Sequence, residues 1–204
     1  MLITLYDDSL SPKQLSQAVN LLENDSILLV PTDTLYAFVC DIHSRKAAHR
    51  LAEIKGKKLE KSNFSILCSS LSMASNYIKP LSNHQFSFIK SLDSGKFTLV
   101  LQASSLTPKI FQNKKRTIGV RITQNPMLIN IIEQLNHPLL VTSAPRDNDT
   151  DGIYKNAELI YEKYEDDIAL AIDRGEIASI PSTVLDMTSN EDYDIIRQGL
   201  GVVE

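Results

Sequence analysis

Apolar residues recur along this chain in short blocks whose period alternates between that of a strand and that of a helix. Met1 to Tyr6 reads as a first strand. Ser11 and Pro12 then supply an N-cap and a first-turn proline for a helix with an apolar stripe of Leu15, Val19 and Leu22. Ser26 to Val30 has the continuous apolar run of a buried strand, and Thr34 to Asp41 follows through a turn at Pro31. Ser44 caps a helix that carries Ala47, Ala48, Leu51 and Ile54 on one face. Phe64 to Cys68 is a short strand, followed by helical stretches near Leu71 to Tyr77 and Asn83 to Leu92. Phe97 to Leu101 and Thr117 to Ile122 are β-rich, and Asn125-Pro126 opens a helix with Leu128, Ile131, Ile132 and Leu135. Pro138 to Thr142, Ile168 to Ile172, Thr183 to Leu185 and Tyr193 to Arg197 complete the strands.

Strands interleaved with helices predict an α/β fold, a twisted sheet with helical cover. The connection from Val30 to Thr34 is too short for a parallel crossover, so the sheet is expected to be mixed. No repeat, low-complexity tract or linker divides the chain, and its 204 residues suffice for one well-buried core. A single domain over 1–204 is the expectation.

Charge adds a local contrast. The net charge of −4 argues against a protein coated with base for bulk nucleic-acid binding. Yet Lys55, Lys57, Lys58 and Lys61 cluster, as do Lys114, Lys115 and Arg116, while acidic residues gather at Glu162 to Asp167. This segregation suggests a basic cavity on an acidic body. The apolar runs are too short to span a membrane, and the N-terminus has neither a basic n-region nor a small-residue cleavage site. Cys40 and Cys68 form no CxxC and no Cys/His metal spacing, so a reduced, cytoplasmic setting and no metal ligand set are expected. His43, His49, His84 and His137 match no motif and read as surface or packing residues.

Walker, GxGxxG, HExxH and GxSxG patterns are all missing. The chemistry is instead concentrated in hydroxyl-rich turns beside β-rich runs: Pro31-Thr-Asp-Thr-Leu-Tyr36, Thr117-Ile-Gly-Val-Arg121, Val141-Thr-Ser-Ala144 and Pro181-Ser-Thr-Val184. Strand ends are where small ligands meet an α/β sheet. Taken singly, each of these reads as a turn whose hydroxyls satisfy local backbone.

Together with Lys55-Gly-Lys57 and Arg197-Gln-Gly199, the four segments resemble the YrdC/YciO family in order and spacing from Val30 to Gly199. Asn63-Phe-Ser-Ile-Leu-Cys68 and Gly95-Lys-Phe-Thr-Leu-Val-Leu101 look like its YciO branch, in the single-domain form. The resemblance implies a concave sheet around a basic cavity. It also implies synthesis of threonylcarbamoyl-AMP from L-threonine, bicarbonate and ATP, with Mg²⁺ on the phosphates. That product serves the t6A modification of tRNA, which implies partners among tRNA, duplex RNA and other proteins of that modification, and no membrane.

By the same resemblance, Lys55, Lys57 and Arg197 supply catalytic positive charge and bind ATP with Asn63 and Thr117. Arg121 takes the threonine carboxylate, and Thr32, Thr34, Ser143 and Ser182 form the pocket that reads the amino acid. Each cation also has a structural reading: a solvated loop for Lys55 to Lys61, a carboxylate pair for Arg121, a cap on the last strand for Arg197. Cys68 stands where the synthases often have a histidine, and reads as a buried structural thiol.

The sequence departs from the family pattern at Lys57, which replaces an arginine, and at Pro145, which replaces an asparagine. Asp147, Asp149 and Asp151 stand where Ser-Gly normally follows, and Ala37-Phe38 replaces a Gly-Leu pair. These changes lean toward the YciO branch. They leave a second expectation beside the synthase: a weakly catalytic or non-catalytic nucleotide- or RNA-binding protein.

Overall fold

A computed structural model describes residues 1–7, 9–108, 111, 116–144, 156–177, 180–189 and 192–203. Lys114, Lys115, Pro145 and the aspartates at 147, 149 and 151 lie outside the described residues.

Local chemistry sets the helices. In α1 (Pro12–Glu23) the Ser11 hydroxyl accepts from the Gln14 amide while Gln14 returns a bond to the Ser11 amide, a reciprocal cap. Ser44 caps α2 (Arg45–Ile54), and Ser70 caps the short α3 (Leu71–Ser75). Ser82 and Gln85 repeat the reciprocal cap on α4 (Asn83–Ser91). Asn125 caps α5 (Pro126–Leu135), which stops at Asn136 in the left-handed region with φ 58°. The last helix, α6 (Ala157–Tyr164), was not among the expected elements.

The strands are β1 (Leu2–Thr4), β2 (Leu28–Pro31), β3 (Tyr36–Asp41), β4 (Ser65–Cys68) and β5 (Phe97–Gln102). They continue with β6 (Thr117–Ile122), β7 (Leu139–Ser143), β8 (Leu170–Asp173), β9 (Thr183–Asp186) and β10 (Asp194–Arg197). All ten join one open sheet in the order β1-β8-β2-β3-β7-β4-β6-β5-β9-β10. The pairing is mixed as expected, and the tight β2–β3 connection is antiparallel. Strand β3 begins at Tyr36 rather than Thr34, because Thr32 to Leu35 close into a hydrogen-bonded turn.

Alternation along the strands divides the core between the two faces of the sheet. Leu28, Val30, Ala37, Val39, Leu139 and Val141 pack beneath α1 and α5. Ile27, Leu29, Phe38 and Cys40 face the other way, against α2 and α6. On β6, Ile118 and Val120 join that second cluster. Their alternates Thr117, Gly119 and Arg121 therefore face the side of α1 and α5, where they line a cavity. The helices cover one half of that face, and the cavity lies over the other.

Candidate functional site

The turn before β3 is built by its own hydroxyls. The Thr32 hydroxyl donates to the Leu35 carbonyl at 2.6 Å and accepts from the Leu35 and Thr34 amides. Asp33 accepts from the Thr123 hydroxyl at 2.6 Å and from the Gln124 amide at 2.8 Å, which clamps the turn to the loop leading into α5. Thr34 is thereby held over β6 with its hydroxyl 2.9 Å from Arg121 Nη2.

Arg121 is the most unusual side chain in the molecule. It is only 8% exposed, and Nη2 donates to the Thr34 and Thr32 hydroxyls. Its Nε is buried and has no partner, and neither ion pair among the described residues includes it. Burial pulls its pKa down, with the Asp33 charge opposing and Arg197 reinforcing the shift. A guanidinium has five donors and is costly to bury uncompensated. This one is oriented by the Thr32 and Thr34 hydroxyls, with its Nε buried.

The cavity that receives it has a volume of about 570 Å³, large enough for a small nucleotide or an amino acid beside one. Thr34, Asn63, Thr117, Arg121, Ser143, Ser182 and Arg197, all expected from the sequence, line it together. Its other charged lining groups are Glu60 and Asp186. Thr98 was not expected; its hydroxyl pairs with that of Ser182 at 2.7 Å. Thr98 and Val100, like Val184 and Asp186, alternate along their strands, a period-two signal that could have marked them.

Arg197 lies on the edge strand and donates from Nη2 to the Ser182 carbonyl at 2.7 Å, so the expected structural role as a cap is present. Arg197 and Ser182 thus act as one unit. Gly199 seals it: a Cβ there would come within 2.6 Å of the Ser182 backbone carbon, so any side chain would force the segments apart.

The lysines differ from expectation. Lys55-Gly56-Lys57 forms the C-terminal exit of α2, in which the Gly56 amide bonds to the Glu53 carbonyl and the Lys57 amide to Ala52. Gly56 has φ 63°, the left-handed value this termination requires. Lys55 and Lys57 do not line the cavity. Lys55 reaches its rim, where Nζ donates to the Ser143 carbonyl at 3.0 Å, and burial with the neighbouring Lys57 charge lowers its pKa. Lys57 is exposed. Thr32 likewise lines no part of this cavity and acts on it through Thr34 and Arg121.

Cys68 is fully buried and burial pushes its thiol up to about 12, which fits a structural residue. Two histidines that matched no motif come together at the far end of β3: the rings of His43 and His137 lie 4.7 Å apart, beside Asp41. Among the described residues, no helix is long and apolar enough to cross a membrane.

A single mixed α/β sheet with a hydroxyl-lined cavity around a buried arginine defines the class of the domain. Residues 20–199 match the Sua5_yciO_yrdC family model, whose description is telomere recombination, and the chain belongs to this family. It is 29% identical to YciO of Escherichia coli K12 over 203 residues, covering 98% of this chain and 96% of that one. It is 30% identical to a threonylcarbamoyl-AMP synthase of Klebsiella pneumoniae over 140 residues, covering 68% of this chain and 73% of that one. The crystal structure of E. coli YciO matches with a TM-score of 0.90 at 28% identity, over 100% of this chain and 98% of that one. The structure of P. abyssi Sua5 complexed with L-threonine matches in fold with a TM-score of 0.85 at 22% identity. That match covers 98% of this chain but 57% of the Sua5 chain.

Proposed function

We propose that this chain binds L-threonine and ATP side by side in the cavity and joins them, through bicarbonate, as threonylcarbamoyl-AMP. The observation that carries this reading is Arg121, a buried cation held by two threonine hydroxyls and, among the described residues, part of no ion pair. A ligand carboxylate would supply the missing charge, and the neighbouring Thr34, Ser143 and Ser182 suit a small hydroxylated amino acid. The Sua5 relative complexed with L-threonine supports the same ligand class.

In the reaction proposed, the threonine amine and bicarbonate give a carbamate and water. A carbamate oxygen then forms a bond to the α-phosphorus of ATP as the bond to the bridging oxygen breaks, releasing pyrophosphate. Arg197 lines the cavity with Asn63 and Thr117, and Lys55 reaches its rim at the Ser143 carbonyl, so these residues are the ones available to the nucleotide. Charge aimed at the site of developing charge is the principal catalytic lever in phosphoryl chemistry. Glu60 and Asp186 are hard oxygen donors that suit the Mg²⁺ accompanying ATP. The adenylate is a reactive intermediate suited to delivery onto tRNA.

A second reading is favoured by the lysines. With Lys57 exposed and outside the cavity lining, and Lys55 engaged by the Ser143 carbonyl, the same pocket could hold nucleotide with little turnover. A single-turnover assay of pyrophosphate release with ATP, bicarbonate and L-threonine separates the two. Synthesis predicts release that requires threonine. ATP binding without threonine-dependent release selects the second reading, and absence of binding by either ligand rejects both.

A further inference from the structure

Outside the cavity, the strongest cluster of ligating groups is Asp41, His43 and His137, each offering one atom within 4.8 Å of the others. Chain order hides it, since His137 is far from the other two in sequence. The register explains it. Strands β3 and β7 pair antiparallel with Asp41 opposite Leu139, so continuing two residues off each strand sets His43 against His137.

We propose that these three residues bind a borderline divalent transition cation of the Zn²⁺ type, with an outer position left to water. Two imidazoles and one carboxylate are a donor set suited to such ions. His137 Nε2 and Asp41 Oδ2 are 3.5 Å apart. That is close to the roughly 3.4 Å edge of a tetrahedron with bonds of about 2.1 Å. The remaining atoms are already oriented. His137 Nδ1 lies 3.2 Å from the Pro138 carbonyl, which can only accept, so Nδ1 carries hydrogen and Nε2 is presented to Asp41. Metal-bound histidines are commonly fixed by such a bond. Asp41 Oδ1 accepts from the His43 amide at 2.7 Å, which leaves Oδ2 for the ion. His43 is exposed in a turn, and rotation of its side chain closes the third bond.

The site is distinct from the cavity. On β7 the cavity lining runs from Ser143 to Val141, and His137 lies four residues before Val141, about 13 Å at the rise of an extended chain. A bound ion would therefore act as a clasp, tying the turn before α2 to the loop after α5.

The test is calorimetric titration of the chelator-treated chain with Zn²⁺. Saturable binding of one equivalent is expected, weakened at least tenfold by His43→Ala and by His137→Ala, and unchanged by His84→Ala, which alters an exposed histidine elsewhere. His43 is the safer change for folding, so His43→Ala alone decides if His137→Ala fails to fold. Co²⁺ should give the visible bands of a tetrahedral nitrogen and oxygen site. Absence of a one-to-one phase, affinity in His43→Ala equal to that of the unaltered chain, or a thiolate charge-transfer band would each overturn the proposal.

Discussion

At the scale of single residues, Arg121 is the buried cation of the cavity lining. Its guanidinium is desolvated, bonded to neutral hydroxyls and, among the described residues, in no ion pair, with the Asp33 charge nearby. Charge-assisted hydrogen bonds contribute roughly 1.5–3 kcal/mol. Arg121→Gln should therefore weaken L-threonine binding about ten- to hundredfold while costing little stability, because it also removes an uncompensated buried charge. Arg121→Lys should recover only part of the affinity, since a point charge lacks the planar fork. Calorimetry gives the affinity and a denaturant titration the stability. Equal affinity in the glutamine variant would remove Arg121 from the site, whereas strong destabilisation would mean that the charge is compensated in the native state. Arg121 was legible from the motif in which it sits, but its burial against the Thr32 and Thr34 hydroxyls was not. That property depends on which groups reach it across the fold, and a sequence carries no such distances.

At the scale of elements, Lys55-Gly56-Lys57 shows a motif whose backbone role is local and whose side chains lie outside the cavity lining. The residues match a phosphate-binding pattern, yet their backbone performs a helix termination that only a left-handed residue completes. Nothing lies within 4 Å of a Cβ built on Gly56, so substitution there tests backbone strain without steric overlap. Gly56→Ala should destabilise the chain by about 1–2 kcal/mol, and Gly56→Asn by less, because asparagine tolerates this conformation. Equal denaturation midpoints for the parent and the alanine variant would contradict the termination described here. The helices with strong caps, at Ser11, Ser44 and Asn125, were legible because capping is local chemistry. Helix α6 also carries a local signal, with Asn156 as N-cap and Ala157, Ile160, Tyr161 and Tyr164 at helical spacing. The acidic residues gathered at Glu162 to Asp167 overlap the end of that stripe and mask its period. Beyond the tight β2–β3 pair, strand order was not legible. The sheet brings β7 between β3 and β4, a pairing set by packing of both faces and not by any neighbouring residues.

At the scale of the whole molecule, the cavity and the histidine clasp are coupled to stability through one sheet. The cavity is lined from β4, β5, β6, β7, β9 and β10 together with the turn before β3, so a ligand there contacts strands distant in sequence. A ligand that binds only the folded chain stabilises it by about 2.7 kcal/mol at a hundredfold excess over its Kd. For a chain of this size that corresponds to a rise in Tm of roughly 5–10 °C. L-Threonine should produce such a rise, valine much less, and ATP should enlarge the threonine effect if the two occupy one cavity and favour each other. Zn²⁺ at the clasp should add its own increment. Sites separated by more than about 10 Å with no shared partners contribute independently, so the shifts from Zn²⁺ and from threonine should sum when both are present. Arg121→Gln should remove the threonine increment and keep that of Zn²⁺, and His43→Ala should do the reverse. If His43→Ala instead abolished the threonine shift, the two ends of β3 and β7 would be a single cooperative unit, and the assignment of two separate sites would fail.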